Sequence, residues 1–223
     1  MRTPFLYTMI LLILLCSLTP VQAQTADTDS SSLNGLVISY QVSLSQKNKK
    51  TSISETYNGG NQTLFISGNK ARLRLVSLMR IESLFFLPGE DSVITVYQVK
   101  ESGRKNIREK MTVQEWKDRN KKYDSIRYEL NESGGKEIAG YSCNKAMVQL
   151  ADGRSITAYY TPELPTMPAL YQPAFAGLPG LVLEYSYSYD AGRITYTATA
   201  VRQEQISPGI FLLQGKPLPS FQF

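Results

Sequence analysis

The chain has 223 residues, a formal net charge of +5 and 42% hydrophobic residues, a composition that suits a globular domain and argues against wholesale disorder. It contains no histidine, which excludes imidazole general-base catalysis, histidine triads and most catalytic zinc sites. Two basic clusters, at residues 46–50 and 119–122, lack the interleaved aromatic residues of a nucleic-acid site, so we expect no nucleic-acid partner.

The first 23 residues have the pattern of a cleaved signal peptide. Arg2 is followed by an apolar run from Phe5 to Leu18 and by small residues that end at Ala23. The apolar run is short for a transmembrane helix, and we expect the mature chain not to be an integral membrane protein. We therefore predict export to the periplasm or beyond, a polar disordered lead-in over residues 24–34, and one domain over residues 35–223.

Cleavage would remove Cys16 and leave Cys143 as the last thiol, so no intrachain disulfide is expected. A reactive nucleophile at Cys143 would need a base, and the chain offers no histidine for a Cys–His pair. We therefore interpret Cys143 as a core residue. No Asp/Cys cluster has the spacing of a metal site, and we expect neither a metal nor another cofactor.

Most of the chain alternates apolar and polar residues in short runs separated by turns, which predicts antiparallel strands. Residues 35–44 and 71–75 are typical examples, and residues 52–57 are expected to pair back onto the first strand. One short helix is predicted after Thr112, where Thr112 and Glu115 fit a capping box and Trp116 is expected to fix the helix on the sheet. Five prolines between Pro162 and Pro179 predict an irregular crossing segment.

Three sequence blocks follow one another at close spacing. The first contains Gly140, Tyr141 and Cys143, and the second contains Thr161 and Pro162. The third block is the hexapeptide Gly177, Leu178, Pro179, Gly180, Leu181 and Val182. Together these blocks resemble the GLPGLI family, which comprises exported proteins of Bacteroidetes, with Val182 where the family name has isoleucine.

The resemblance implies a mainly β domain: a single curved antiparallel sheet, or half-open β-barrel, with one short helix and the proline-rich crossing segment. At the level of the fold it is similar to periplasmic lipoprotein carriers of the LolA type. The family brings no established activity, catalytic residue or cofactor to this chain, and fold similarity alone does not determine function.

Several candidate sites can be weighed from the residues themselves. Paired carboxylates could hydrolyse a glycoside, but no spacing brings Glu163, Glu184 and Asp190 together on one element. The hexapeptide is either a structural turn or a contact for a partner. Leu181, Leu183 and the tyrosines at 185, 187 and 189 are predicted to share one face of a strand, which could line an apolar cavity or face solvent.

We therefore expect a non-enzymatic, exported protein of the cell envelope that holds an apolar or lipid-like ligand, or a protein partner, against the sheet. The alternative is a structural or interaction module with a filled core and no ligand. A hydrolase is a distant third hypothesis. The state of the concave face of the sheet, hollow or filled, distinguishes the first two.

Overall fold

A computed structural model describes residues 33–46, 58–102, 105–189 and 192–213. The predicted signal peptide and the predicted strand at residues 52–57 lie outside these ranges. The first strand begins at Leu33, so Leu33 and Asn34 belong to the sheet and not to the predicted lead-in.

The described residues form strands and a few short helical segments. The strands are β1 Leu33–Gln46, β2 Asn61–Ser67, β3 Lys70–Val76, β4 Ile81–Pro88, β5 Ile94–Ser102, β6 Lys105–Thr112, β7 Arg127–Ile138, β8 Tyr141–Gln149, β9 Ser155–Thr161, β10 Leu181–Tyr189 and β11 Gly192–Ile206. The single described α-helix is α1, Val113–Arg119. Short 3-10 helices span Lys121–Tyr123, Pro173–Phe175 and Pro208–Phe211.

The eleven described strands make one sheet in the order β6-β5-β4-β3-β2-β1-β11-β10-β9-β8-β7, and every neighbouring pair is antiparallel. Strand β1 lies in the middle because β11 pairs with it at the end of the domain. Strands β6 and β7 are the two edges, so the sheet is open, and the prediction of an open antiparallel sheet with one short helix is confirmed. The chain passes from one edge of the sheet, at β6, to the other edge, at β7, through α1.

Directly paired residues place one row of side chains on a common face. In the first half of the sheet this row joins Ile66, Ala71, Phe86, Val96 and Met111. In the second half it joins Val42, Tyr196, Tyr185, Ala158 and Ala146. Both α1 and the crossing segment, residues 162–180, pack on this face, which we call the concave face. The opposite face is called the outer face.

Helix α1 begins at the predicted cap. The Thr112 hydroxyl accepts a hydrogen bond from the Glu115 backbone amide, and the Glu115 carboxylate accepts from the Thr112 amide. Trp116 packs edge-on against Phe86 at 5.6 Å and donates its indole hydrogen bond to the Leu170 carbonyl at 3.0 Å. Trp116 therefore connects the helix to both the sheet and the crossing segment. In the described part of the chain no helix is long and apolar enough to span a membrane.

Two predictions about strands were incomplete or wrong. Strand β6 was not predicted, because its sequence, KNIREKMT, is mostly polar and lacks a clear alternation. The predicted common face of Leu181, Leu183 and the following tyrosines is interrupted by a β-bulge between Val182 and Glu184. Val182 consequently lies in the row of Tyr185, whereas Leu181 pairs with Thr161 in the alternate row.

Candidate functional site

The three sequence blocks meet at one end of the sheet. Leu181 pairs with Thr161, and Gly180 lies so close to the Thr161 carbonyl that a Cβ atom would collide with backbone. Cys143 belongs to the same core cluster as Leu181. Gly140 lies apart, in the β7–β8 turn, with a φ of 83° that favours glycine.

The hexapeptide is held in place by the rest of the protein. Thr166 donates a hydrogen bond to the Leu178 carbonyl at 2.8 Å, and Tyr40 donates to the Val182 carbonyl at 2.8 Å. The Gly177 amide donates to the Tyr128 hydroxyl at 3.2 Å. The side chains of Leu178, Leu181 and Val182 are buried, while Pro179 is exposed. Five of the six residues, all except Pro179, thus seal this end of the core by close packing or by a backbone hydrogen bond.

The other residues singled out in the sequence have ordinary structural surroundings. Glu184 forms an ion pair with Lys136 at 2.7 Å and accepts a hydrogen bond from Thr197 at 2.9 Å. Glu163 accepts from the Ser142 backbone amide, and Pro162 is exposed at the start of the crossing segment. Asp190 lies outside the described residues. Within the described ranges, no three His, Cys, Asp or Glu side chains are grouped as a metal site would require.

Cys143 is buried, with 1% of its surface exposed. Burial, together with the negative charge of Glu163, raises the pKa of its thiol to about 11. Since the thiolate is the nucleophilic form, the environment of Cys143 disfavours reactivity.

We expect Cys143 to resist iodoacetamide at pH 8 in the folded protein and to react readily after unfolding in guanidinium. The experiment uses a Cys16→Ser background, so that only one thiol can be labelled. Both burial and the raised pKa protect the thiol in the native state. Labelling of the folded protein at the rate of the unfolded protein would refute this assignment.

Farther along the concave face, a cleft of about 290 Å³ opens between β8–β11 and the 3-10 helix Lys121–Tyr123. Its lining is mainly aromatic and aliphatic, with two cations; the residues are Lys122, Tyr123, Leu150, Arg154, Ser155, Ile156, Tyr185, Tyr187, Ser188 and Tyr196. We call it the tyrosine cleft.

The aromatic lining is ordered by ring stacking. Tyr185 and Tyr196 stack at 4.5 Å with an interplanar angle of 8°, and Tyr187 stacks on Tyr196 at 6.4 Å. Phe175 of the crossing segment packs against Tyr185 at 5.1 Å. These contacts fix the rings before any ligand arrives, which lowers the entropic cost of binding on them.

The phenol of Tyr185 is neutral under ordinary conditions. Burial raises its pKa well above the usual value, and Gln62 donates a hydrogen bond to its oxygen at 3.1 Å. The charges of the cleft therefore come from its rim, where Lys122 lies over the Tyr123 ring at 4.9 Å and Arg154 is bound to Asp152 at 2.8 Å. Two cations and one anion leave a net positive rim.

A second, larger groove of about 670 Å³ adjoins the tyrosine cleft at Tyr123. It lies between α1, the start of β7 and the crossing segment. Its apolar contacts come from Trp116, Ile126, Tyr128 and Leu170. Tyr123 lines both spaces.

Sequence reasoning found only part of this site. Tyr185 and Tyr187 were predicted to share one face of a strand. Tyr123, Lys122 and Arg154 were missed, because they follow a helix or lie in a turn, where no periodicity indicates a face. The strand order that brings β8 and β9 beside β10 provides the missing connection.

No family model matches the chain, and no curated protein matches it significantly.

Proposed function

We propose that the protein is an exported binding protein that holds an amphiphilic molecule with an anionic group in the tyrosine cleft. The observation that carries this proposal is a cleft lined by stacked tyrosine rings that adjoins a larger groove with apolar contacts. Export rests on the N-terminal sequence and on the resemblance to GLPGLI proteins. No catalytic role is part of the proposal.

The size and lining of the cleft suit such a ligand. Small-molecule sites are concave, mostly apolar and roughly 300–1,000 Å³ in volume. At about 290 Å³ the tyrosine cleft is just below this range, and the larger adjoining groove, at about 670 Å³, is within it. Lys122 and Arg154 stand at the mouth of the cleft, where a cationic side chain would attract an anionic head group while the rings contact its apolar part.

The alternative of a structural module with a filled core also has a specific observation in its favour. Large side chains such as Tyr40, Phe86 and Ile38 are completely buried on the concave face. Residues of the crossing segment pack against the core clusters that contain them. The two hypotheses differ in what occupies the tyrosine cleft. The binding-protein hypothesis places a ligand there, whereas the structural-module hypothesis places only water there.

Binding of lauroyl lysophosphatidylglycerol below its critical micelle concentration, measured by native mass spectrometry and calorimetry, tests the proposal. We expect saturable one-to-one binding that Tyr187→Ala weakens at least tenfold, because a lost aromatic contact is worth about 1.5 kcal/mol or more. Lys122→Gln is expected to reduce the preference over lauroyl lysophosphatidylcholine.

The matched control is Tyr97→Ala, which truncates another partly buried tyrosine, on the outer face. It should leave binding unchanged. Absence of saturable binding by wild-type protein, or equal losses in Tyr187→Ala and Tyr97→Ala, would favour the filled-core module.

A further inference from the structure

The outer face carries an independent pocket of about 300 Å³ between β3, β4, β5 and the segment that follows β11. Two arginines of β3, Arg72 and Arg74, lie side by side in its wall, together with Ser83 of β4 and Glu101 of β5. This pocket is on the opposite face of the sheet from the tyrosine cleft, and the proposed function does not use it.

Arg72 is held rigidly. It donates hydrogen bonds to the Ile210 carbonyl at 2.9 Å and to the Ser83 hydroxyl at 3.1 Å, and its guanidinium lies 4.6 Å from the centre of the Phe85 ring. Its Nε–H is shielded from solvent and has no hydrogen-bond partner. The partly buried guanidinium is therefore held in one position, with its Nε–H unused in hydrogen bonding.

The positive charge of the pair is not neutralised within the described residues. Neither Arg72 nor Arg74 has a carboxylate within ion-pair distance there, although Glu101 lines the same pocket. Burial, and after it the neighbouring charge of Arg74, lower the pKa of Arg72. Holding two partly buried cations side by side without a counterion is unfavourable.

We propose that this outer pocket binds a monocarboxylate that carries an apolar group. The Arg74 guanidinium would contact the carboxylate, the fixed charge of Arg72 would add to the attraction, and the Ser83 hydroxyl, which accepts from Arg72, has its own hydrogen to donate. A single negative charge suits the pocket better than a dianion such as phosphate, because Glu101 opposes additional negative charge.

The apolar group of the proposed ligand is inferred from the residues at the mouth of the pocket. Leu212 and Leu213 are 64% and 39% exposed there, and Phe65 and Ile210 contribute further apolar surface to the lining. Exposed leucines beside paired arginines match a molecule with a charged head and a short hydrocarbon chain.

Octanoate is a suitable probe, with acetate, inorganic phosphate and octanol as comparators. Binding is followed on the arginine Nε–H resonances of uniformly 15N-labelled full-length protein, which report on this pocket separately from the tyrosine cleft. We expect octanoate to shift the Arg72 and Arg74 resonances saturably and to bind there at least tenfold more tightly than the three comparators.

Arg74→Gln should weaken this binding at least tenfold, as read on the Arg72 resonance. Glu101→Gln should strengthen octanoate binding about threefold, because it removes a negative charge from the pocket. A misfolded variant would not show such a gain. Tyr187→Ala should leave it unchanged, which separates this pocket from the proposed function. Phosphate or acetate binding as tightly as octanoate, or octanoate binding insensitive to both Arg74→Gln and Glu101→Gln, would overturn the proposal.

Discussion

Replacing Gly180 with alanine is expected to destabilise the protein by about 3 kcal/mol, within the range of severe overpacking. An added Cβ would collide with the Thr161 carbonyl and lie 3.0 Å from the Pro162 Cα. These are backbone atoms of Thr161, in the strand that pairs with β10, and of Pro162, which directly follows it, so they cannot move aside as a flexible side chain could. In a domain of this size the melting temperature should fall by roughly 6–12 °C.

Gly209→Ala is the matched control. A Cβ at Gly209 would meet only the Ser207 hydroxyl, at 3.5 Å, so the change in stability should stay within about 0.5 kcal/mol. If Gly180→Ala melts within 2 °C of the wild type, the hexapeptide does not have the tight packing role described above.

Phe86→Ala is expected to cost about 4 kcal/mol, the magnitude usual for truncating a fully buried phenylalanine. The Phe86 ring is completely buried and contacts Trp116 of α1 at 5.6 Å and Tyr171 of the crossing segment at 5.0 Å. Its loss would therefore leave a cavity at the point where sheet, helix and crossing segment meet. Chemical denaturation monitored by circular dichroism measures this cost.

Trp116 is the only tryptophan of the chain and gives a local readout of the same contact. In the folded fraction of Phe86→Ala, its emission should shift to longer wavelength as water reaches the ring. Leu78→Ala, at a side chain that is 88% exposed, should change stability by less than about 0.5 kcal/mol and leave the emission unchanged. Equal effects of the two substitutions would contradict the assigned packing.

The sequence predicted the general architecture well, because period-two alternation and tight turns are local signals. The capping box at Thr112 was identified correctly for the same reason, since all of its atoms lie within four residues. The burial of Cys143 followed from residue type and the absence of a histidine partner. These features need no knowledge of distant contacts.

Other features depend on long-range pairing and could not be derived in this way. The bulge after Val182 is a mismatch between β10 and β9, and neither strand alone indicates it. Strand β6 is an edge strand with one neighbour in the sheet, and its polar sequence reflects that position. The tyrosine cleft requires β8 to lie beside β9 and the 3-10 helix at Lys121–Tyr123 to reach over it.

The central claim, that the tyrosine cleft is the ligand site, is tested most directly by photocrosslinking. A lauroyl lysophosphatidylglycerol with a diazirine at the end of its acyl chain is irradiated with the protein, and the adducts are mapped to single residues by mass spectrometry. We expect adducts at Tyr123, Tyr187 and Ile156 that unlabelled lipid competes away. Adducts confined to outer-face residues such as Tyr97 or Phe85, or adducts insensitive to competition, would contradict the claim.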